Sequence, residues 1–214
     1  IKFNNFKIFA KGDTPFKVDG DIDITHIVSP SFNLTMQAKN YELINAPRQK
    51  KSVIYGKLLL DINAAITGPV ESLNVYGNAT VLGSTNVTYV MPENNLATNN
   101  ELDGLVEFVN FNDSIQTDVE NTNDFGNTTM SIMLNIEEGA WINADFNSSR
   151  DSYINLQGGG QLSMNYSGET GISLTGRYTL NNGKMKYNLP IIPLKTFDIS
   201  PGSYVSWTGD PMNP

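Results

Sequence analysis

The chain has 214 residues, of which 17% are charged, and it carries a formal net charge of −8 and no cysteine. Because neutralising phosphates needs clustered lysine and arginine, this acidic balance argues against nucleic acid as a partner. No disulfide contributes to stability, and no apolar run approaches the roughly 20 residues of a membrane-spanning helix.

Apolar and polar residues alternate along most of the first half, which is the period of a half-buried β-strand. The pattern predicts strands over residues 18–26, 32–38, 58–66, 73–81 and 87–91. The strand over 58–66 is unusually long for a single strand. It places Leu58, Leu60, Ile62 and Ile66 on one face.

Residues 92–128 lack this alternation and are rich in Asn, Asp and Thr. They predict a loop-rich interruption with one weak strand around 115–119. Because similar strands lie on both sides, we expect residues 1–214 to form one β domain. The chain begins at Ile1 without an initiating Met, so we expect a fragment of a longer protein.

The alternation resumes in the second half and again has period two. It predicts strands over residues 130–136, 142–146, 162–166, 172–180, 184–189, 197–199 and 205–207. Asn181-Asn182-Gly183 predicts a hairpin turn, since Asn and Gly tolerate positive φ. Gly158-Gly159-Gly160 predicts a hairpin or a bulge. No segment predicts a helix, so the fold class is all-β.

The residues that usually carry chemistry are sparse. His26 is the only histidine, and no G-x-S-x-G turn is present to expose a nucleophilic serine. Asp19, Asp21 and Asp23 share a strand face, but they lack the spacing of an EF-hand calcium loop. We therefore predict no catalytic residue, no metal ligand and no cofactor, and a protein that is not an enzyme.

The apolar face of such strands must be covered, and the sequence supplies no helices to cover it. Two arrangements satisfy this demand. In one, a long, curved, mostly antiparallel sheet folds into a taco-like trough with a hydrophobic interior groove. In the other, the sheet closes into a β-sandwich with a buried core.

Two stretches of the chain resemble a known family. Residues 176–214 read GRYTLNNGKMKYNLPIIPLKTFDISPGSYVSWTGDPMNP, and residues 56–83 read GKLLLDINAAITGPVESLNVYGNATVLG. Both resemble the C-terminal domain of the TamB family, within the AsmA-like group of bacterial envelope proteins. The residues of the family motif are Gly202, Ser203, Trp207, Gly209, Asp210 and Pro211.

The resemblance implies the trough rather than the sandwich. It also implies a periplasmic segment of an envelope-spanning protein in a Gram-negative bacterium, with an inner-membrane anchor elsewhere in the full-length chain. The implied function is outer-membrane biogenesis, in which phospholipid acyl chains cross the periplasm in the groove or outer-membrane proteins are assembled beside a TamA-type barrel partner. The alternative is a non-enzymatic adhesin or glycan-binding sandwich.

The predicted groove consists of the apolar residues that share the alternating face, including methionines whose flexible side chains suit varied acyl chains. These residues are Leu58, Leu60, Ile62, Ile66, Leu73, Val75, Val81, Met130, Ile132, Leu134, Leu162, Met164, Ile172, Leu174, Tyr178, Met185 and Tyr187.

Overall fold

A computed structural model describes residues 1–10, 12–91, 127–147, 149–187 and 195–214. These residues form strands and no helix, which confirms the all-β prediction. The strands are β1 (Lys2–Ile8), β2 (Phe16–Asp23), β3 (Ser31–Ala46), β4 (Ile54–Pro69), β5 (Asn74–Val81), β6 (Asn86–Val90), β7 (Thr129–Ile136), β8 (Trp141–Asp145), β9 (Tyr153–Ser167), β10 (Gly171–Tyr187), β11 (Lys195–Asp198) and β12 (Tyr204–Gly209). Most of the predicted interruption at 92–128, including the weak strand at 115–119, lies outside the described residues.

All the described strands belong to one sheet in the order β1-β2-β3-β4-β5-β7-β9-β10-β11. Beside this path, β6 pairs with β4 and β8, β8 also pairs with β9, and β12 pairs with β10. The pairs β5–β7 and β6–β8 are parallel, and the other pairs are antiparallel. The six strands β4, β5, β7, β9, β8 and β6 therefore form a closed ring of pairing.

The strand registers explain how this ring closes. β3 pairs with one edge of β4. Both β5 and β6 pair with the other edge of β4, one after the other along its length. In the same way β10 occupies one edge of β9, and β7 and β8 follow each other along the opposite edge. Each of β5–β6 and β7–β8 thus acts as one long strand that is interrupted in the middle.

The two interruptions lie side by side and are called the junction here, residues 82–85 and 137–140. Backbone bonds cross it on both sides, from Glu137 N–H to the Val81 carbonyl at 3.0 Å and from Trp141 N–H to the Thr85 carbonyl at 2.9 Å. A Cβ on Gly139 would lie only 2.9 Å from the Gly83 carbonyl oxygen. The absence of both side chains is what lets the interruptions approach this closely.

The hydrophobic core surrounds the junction. Its buried members are Val81, Ile136, Ala140, Leu162, Tyr178 and Leu180. Partly buried side chains packed against them are Leu58, Leu60, Leu134, Ile142, Leu156, Leu174, Ile199 and Trp207. Burial of apolar area is thus concentrated in the middle of the sheet.

The hairpin predicted at residues 181–183 is wrong. β10 continues through these residues, and Leu180 and Asn182 pair with consecutive residues of β9, so Asn181 is an extra residue in a β-bulge. A Cβ on Gly183 would meet the Ile199 side chain at 2.8 Å. The glycine that suggested a turn instead gives Ile199 room to pack.

Three other details differ from the alternation pattern. Gly158-Gly159-Gly160 lies inside β9 and makes no hairpin, but the β10 bulge at Asn181 lies opposite its first glycine. Cβ atoms on Gly158 and Gly160 would lie 2.1 and 2.0 Å from carbonyl oxygens of β10, so both positions need glycine. β2 ends at Asp23, so Ile24 and His26 lie in the turn that follows. β1 was not predicted, because a register shift between Phe3 and Phe6 breaks its alternation.

Candidate functional site: the apolar sheet face

The structure brings the predicted groove residues onto one face of the sheet. All of them except Leu73 lie within strands, and Leu73 directly precedes β5, where its carbonyl accepts the Thr129 N–H at 2.8 Å. Residues that stand directly opposite each other in paired strands project to the same face. That relation links the predicted residues across β4, β5, β7, β9 and β10.

Four apolar rows run across these strands. The first row consists of Ile66, Val75, Met130, Tyr166 and Ile172, and the second of Ala64, Gly77, Ile132, Met164 and Leu174. The third row consists of Ile62, Ala79, Leu134, Leu162, Gly176 and Trp207. The fourth row consists of Leu60, Val81, Ile136, Gly160, Tyr178 and Val205. The fourth row borders the junction, and the first lies at the far end of the strands. The apolar face is therefore continuous across the middle of the sheet.

Exposure rises along this face with distance from the junction. Leu162 is 7% exposed and packs in the core, whereas Ile172 is 55% exposed. Residues between them, such as Ile132 and Met164, are partly buried. The face is thus tightly packed at its centre and accessible at the strand ends.

The opposite face is polar at the same level of the sheet. The row that neighbours the third apolar row reads Asp61, Thr80, Asn135, Gln161, Arg177 and Ser206. Two clefts of about 710 Å³ each open among polar residues; one includes Lys17, Asp61 and Asn78, and the other includes Tyr55, Asn143 and Arg150. The sheet is therefore amphipathic, with a row of polar residues on one face at the level where the other face is apolar.

Tyr178 places one polar atom inside the apolar face. Its side chain is 6% exposed, and its hydroxyl has no hydrogen-bond partner. Burial raises the pKa of this phenol above its ordinary value, because the charged phenolate loses hydration. The other residues that line the core are aliphatic or aromatic, so the core carries no charge.

A polar cluster on the opposite face was missed by the sequence reasoning. Asp145 is completely buried; its Oδ2 accepts a hydrogen bond from the Tyr55 hydroxyl at 2.7 Å, and its Oδ1 lies 3.2 Å from Arg150 Nε without hydrogen-bond alignment. Burial first, and then the bond to Asp145, raises the pKa of Tyr55. Alternation places Asp145 on the polar face, but nothing in the sequence indicates that the turn after β8 covers it.

The family-motif residues form hydrogen bonds and strand pairs at the C-terminal end of the chain. Gly202 N–H donates to the Leu180 carbonyl at 2.8 Å, and Leu180 N–H donates to the Ser203 carbonyl at 2.7 Å. Trp207 Nε1 donates to the Pro211 carbonyl at 3.0 Å, and Asp210 Oδ1 accepts the Met212 N–H at 2.8 Å. Gly209 ends β12 and pairs with Leu174. These contacts fix the turn before β12 and the chain after it.

Two segments of the stretch that resembles the family are neighbours in the sheet. Trp207 of the WTGDP segment stands directly opposite Gly176 of the GRY segment. A Cβ on Gly176 would lie 2.2 Å from the Gln161 carbonyl oxygen, so this position in the middle of β10 needs glycine. The spacing of the motif therefore reflects the pairing of β10 with β12.

The other candidate residues do not assemble into a reactive site. Asp23 Oδ1 accepts the Thr25 N–H at 2.9 Å, and Asp19 Oδ1 accepts the Asn5 N–H. Within the described ranges, no three His, Cys, Asp or Glu residues lie close enough together to hold a metal ion. His26 lies in an exposed turn, where its carbonyl accepts the Ser29 N–H.

One amphipathic sheet, with an apolar face that continues over many strands, defines the class of the chain as an all-β sheet protein. The comparison with family models agrees: the model of the TamB C-terminal domain matches residues 5–214, so the chain belongs to the TamB C-terminal domain family. The family consists of envelope proteins of Gram-negative bacteria that take part in outer-membrane biogenesis.

No curated protein and no solved structure matches the chain. Among the residues that the structure describes, no helix is long and apolar enough to cross a membrane.

Proposed function

We propose that this domain shields phospholipid acyl chains on its apolar sheet face while lipid moves between the inner and outer membranes. In this proposal residues 1–214 form one periplasmic domain, and the sheet curves into the predicted trough. The domain works beside a TamA-type outer-membrane barrel, where it also assists the assembly of outer-membrane proteins.

The observation that supports the proposal is the continuous apolar face, which is packed at its centre and accessible at the strand ends. The four apolar rows cross β4, β5, β7, β9 and β10, and the described residues supply no helix and no second sheet to cover them. An apolar face of this extent normally packs against another layer. Both ends of this face are accessible, around Ile172 at one end and around Tyr187 and Phe197 at the other.

The energetics favour such a carrier. A diacyl lipid exposes on the order of 30 methylenes, so moving it bare through water costs about 25 kcal/mol at ~0.8 kcal/mol each. A continuous aliphatic face removes most of that cost without any specific chemistry. Partly buried Met130 and Met164 can adapt to chains of different shape.

Native mass spectrometry of the protein purified from a bacterial envelope without detergent, together with lipid extraction, tests the proposal. We expect phospholipid to copurify and to be displaced by added dodecyl maltoside. A photoreactive acyl chain should crosslink to peptides of β4, β7 and β9. A lipid-free protein that takes up neither phospholipid nor detergent would show a closed core and overturn the proposal.

A further inference from the structure

The two ends of the strands carry opposite charge. Strand registers place the turn at 47–53, the turn at 146–152 and the strand ends at 186–187 and 195–196 along one edge, called the basic rim. The turns at 24–30, 70–73 and 168–170, the end of β2 and residues 210–214 lie along the opposite edge, called the acidic rim. The rims are the two ends at which the apolar face meets solvent.

The charges divide sharply between them. The described residues of the basic rim, with the end of β8, carry six cations against the carboxylates Asp145 and Asp151. Lys50 and Lys51 lie in the turn at 47–53 and Lys195 borders the apolar face, whereas Arg48, Arg150 and Lys186 lie on the polar side of the same edge. The described residues of the acidic rim carry Asp23, Glu71, Glu169 and Asp210 against Lys2 at the start of β1. Because the chain as a whole is acidic, with a net charge of −8, a cationic edge is a local feature and not a reflection of composition.

The apolar face ends in exposed rings and aliphatic groups at the basic rim. Ile54 and Tyr89 stand opposite each other and are exposed, as are Tyr187 and Phe197. Lys195 stands directly opposite Tyr187, so a lysine closes the apolar row at this edge. Aromatic side chains bordered by lysines are the arrangement that proteins use where hydrocarbon gives way to lipid headgroups.

We propose that the basic rim binds the phosphate of a lipid headgroup, so that lipid lies on the apolar face with a fixed polarity. The inference rests on the function proposed above and adds the orientation of the lipid and a preference for anionic headgroups. The acidic rim repels the same phosphate and leaves one orientation favourable.

The dimensions fit this orientation. Ile54 at the basic rim and Leu60 beside the junction are six residues apart on β4, which is about 20 Å of strand at ~3.3 Å per residue. One leaflet of the hydrocarbon core of a bilayer is about 15 Å thick. An acyl chain that begins at the basic rim therefore ends near the packed core around the junction.

Binding of phosphatidylglycerol and phosphatidylcholine with identical acyl chains to the purified protein tests the proposal. We expect tighter binding of phosphatidylglycerol and a loss of about fivefold in its affinity for each lysine neutralised in Lys50→Gln/Lys51→Gln and in Lys195→Gln. The matched control Lys2→Gln/Lys7→Gln removes the same charge from exposed positions of β1 and should leave the preference intact. The preference should also shrink as salt rises.

Dodecyl maltoside has no charge, so its binding depends on the apolar face alone. It should bind the lysine variants and the control variant with equal affinity. Suppose that dodecyl maltoside binds but the two lipids bind with equal affinity, or that the control and rim variants lose affinity for phosphatidylglycerol equally. Either result would overturn the proposed lipid orientation and leave the proposed binding of acyl chains to the apolar face intact. If neither detergent nor lipid binds, both proposals fail. A headgroup photocrosslinker should label peptides of the basic rim, and labelling of the acidic rim would reverse the assigned orientation.

Discussion

The backbone N–H of Gly83 donates a hydrogen bond to Oε2 of Glu137 at 2.6 Å, which ties the interruption of β5–β6 to that of β7–β8. The two residues are far apart in the chain and meet only because β5 and β7 pair in parallel. The bond satisfies an amide that the interrupted ladder leaves free. It therefore helps to fix the junction on which the core packs.

Glu137→Ala should destabilise the protein by about 1 kcal/mol, since a charge-assisted hydrogen bond is lost at an exposed position. The free energy of unfolding from urea titration measures the change. Glu138→Ala, at the neighbouring exposed position, is the control and should change stability by less than about 0.5 kcal/mol. Equal effects of the two substitutions would show that the Gly83 bond contributes nothing to the junction.

Substitutions on the apolar face should separate binding from folding. Ile172→Asp places a charge at an exposed position of the apolar face, so we expect a folded protein that binds dodecyl maltoside several-fold more weakly. Leu162→Asp buries a charge within the core and should prevent folding. Circular dichroism and the same binding assay check both. An Ile172→Asp protein that folds and binds dodecyl maltoside like the wild type would show that this end of the face does not take up apolar ligands.

Leu60 and Ile62 both belong to the predicted groove, so Leu60→Asp and Ile62→Asp would each test lipid contact, but the structure distinguishes the two positions. Leu60 packs against the core around the junction, so its substitution tests packing. Ile62 lies one row further out and is not part of that cluster. Ile62→Asp is therefore the more informative of the two, with crosslinking to a photoreactive phospholipid as the measurement.

Alternation was sufficient to predict most of the strands and the identity of the apolar face. Period-two spacing assigns Ile66, Val75 and Met130 to one face whatever their order in the sheet, and the registers then place them side by side. The same reasoning could not find β1, where a register shift between Phe3 and Phe6 interrupts the spacing. The local pattern therefore predicts which residues share a face of the sheet, and it fails where a bulge interrupts the alternation.

Strand order and the junction could not be predicted, because both depend on partners that are distant in the chain. The parallel pairing of β5 with β7 joins segments on either side of residues 92–126, and no local signal encodes it. The hairpin turn predicted at Asn181-Asn182-Gly183 was wrong for a related reason. Its glycine meets a steric demand of Ile199, which only the tertiary structure reveals.

The buried carboxylate should matter more to stability than its neighbours on the surface. Asp145→Ala removes the acceptor of the Tyr55 hydroxyl and the partner of Arg150, so we expect a loss of about 2–3 kcal/mol. Tyr55→Phe removes one hydrogen bond and should cost about 1 kcal/mol. Chemical denaturation of the single variants and of the double variant gives the coupling between the two residues. A coupling energy of zero would mean that the bond between Tyr55 and Asp145 does not stabilise the fold.

The buried hydroxyl of Tyr178 should make wild-type stability fall at alkaline pH. Because burial raises its pKa, the folded protein keeps the proton at pH values where the unfolded chain, near the ordinary value of 10.0, has lost it. The folded state then binds more protons, so the free energy of unfolding decreases as pH rises through and above about 10. Tyr178→Phe removes this contribution. It also removes a hydroxyl that has no partner, so its stability at pH 7 should equal that of the wild type or exceed it by up to about 1 kcal/mol. Urea titrations between pH 7 and pH 11 measure both effects, and parallel pH profiles of the two proteins would contradict the prediction.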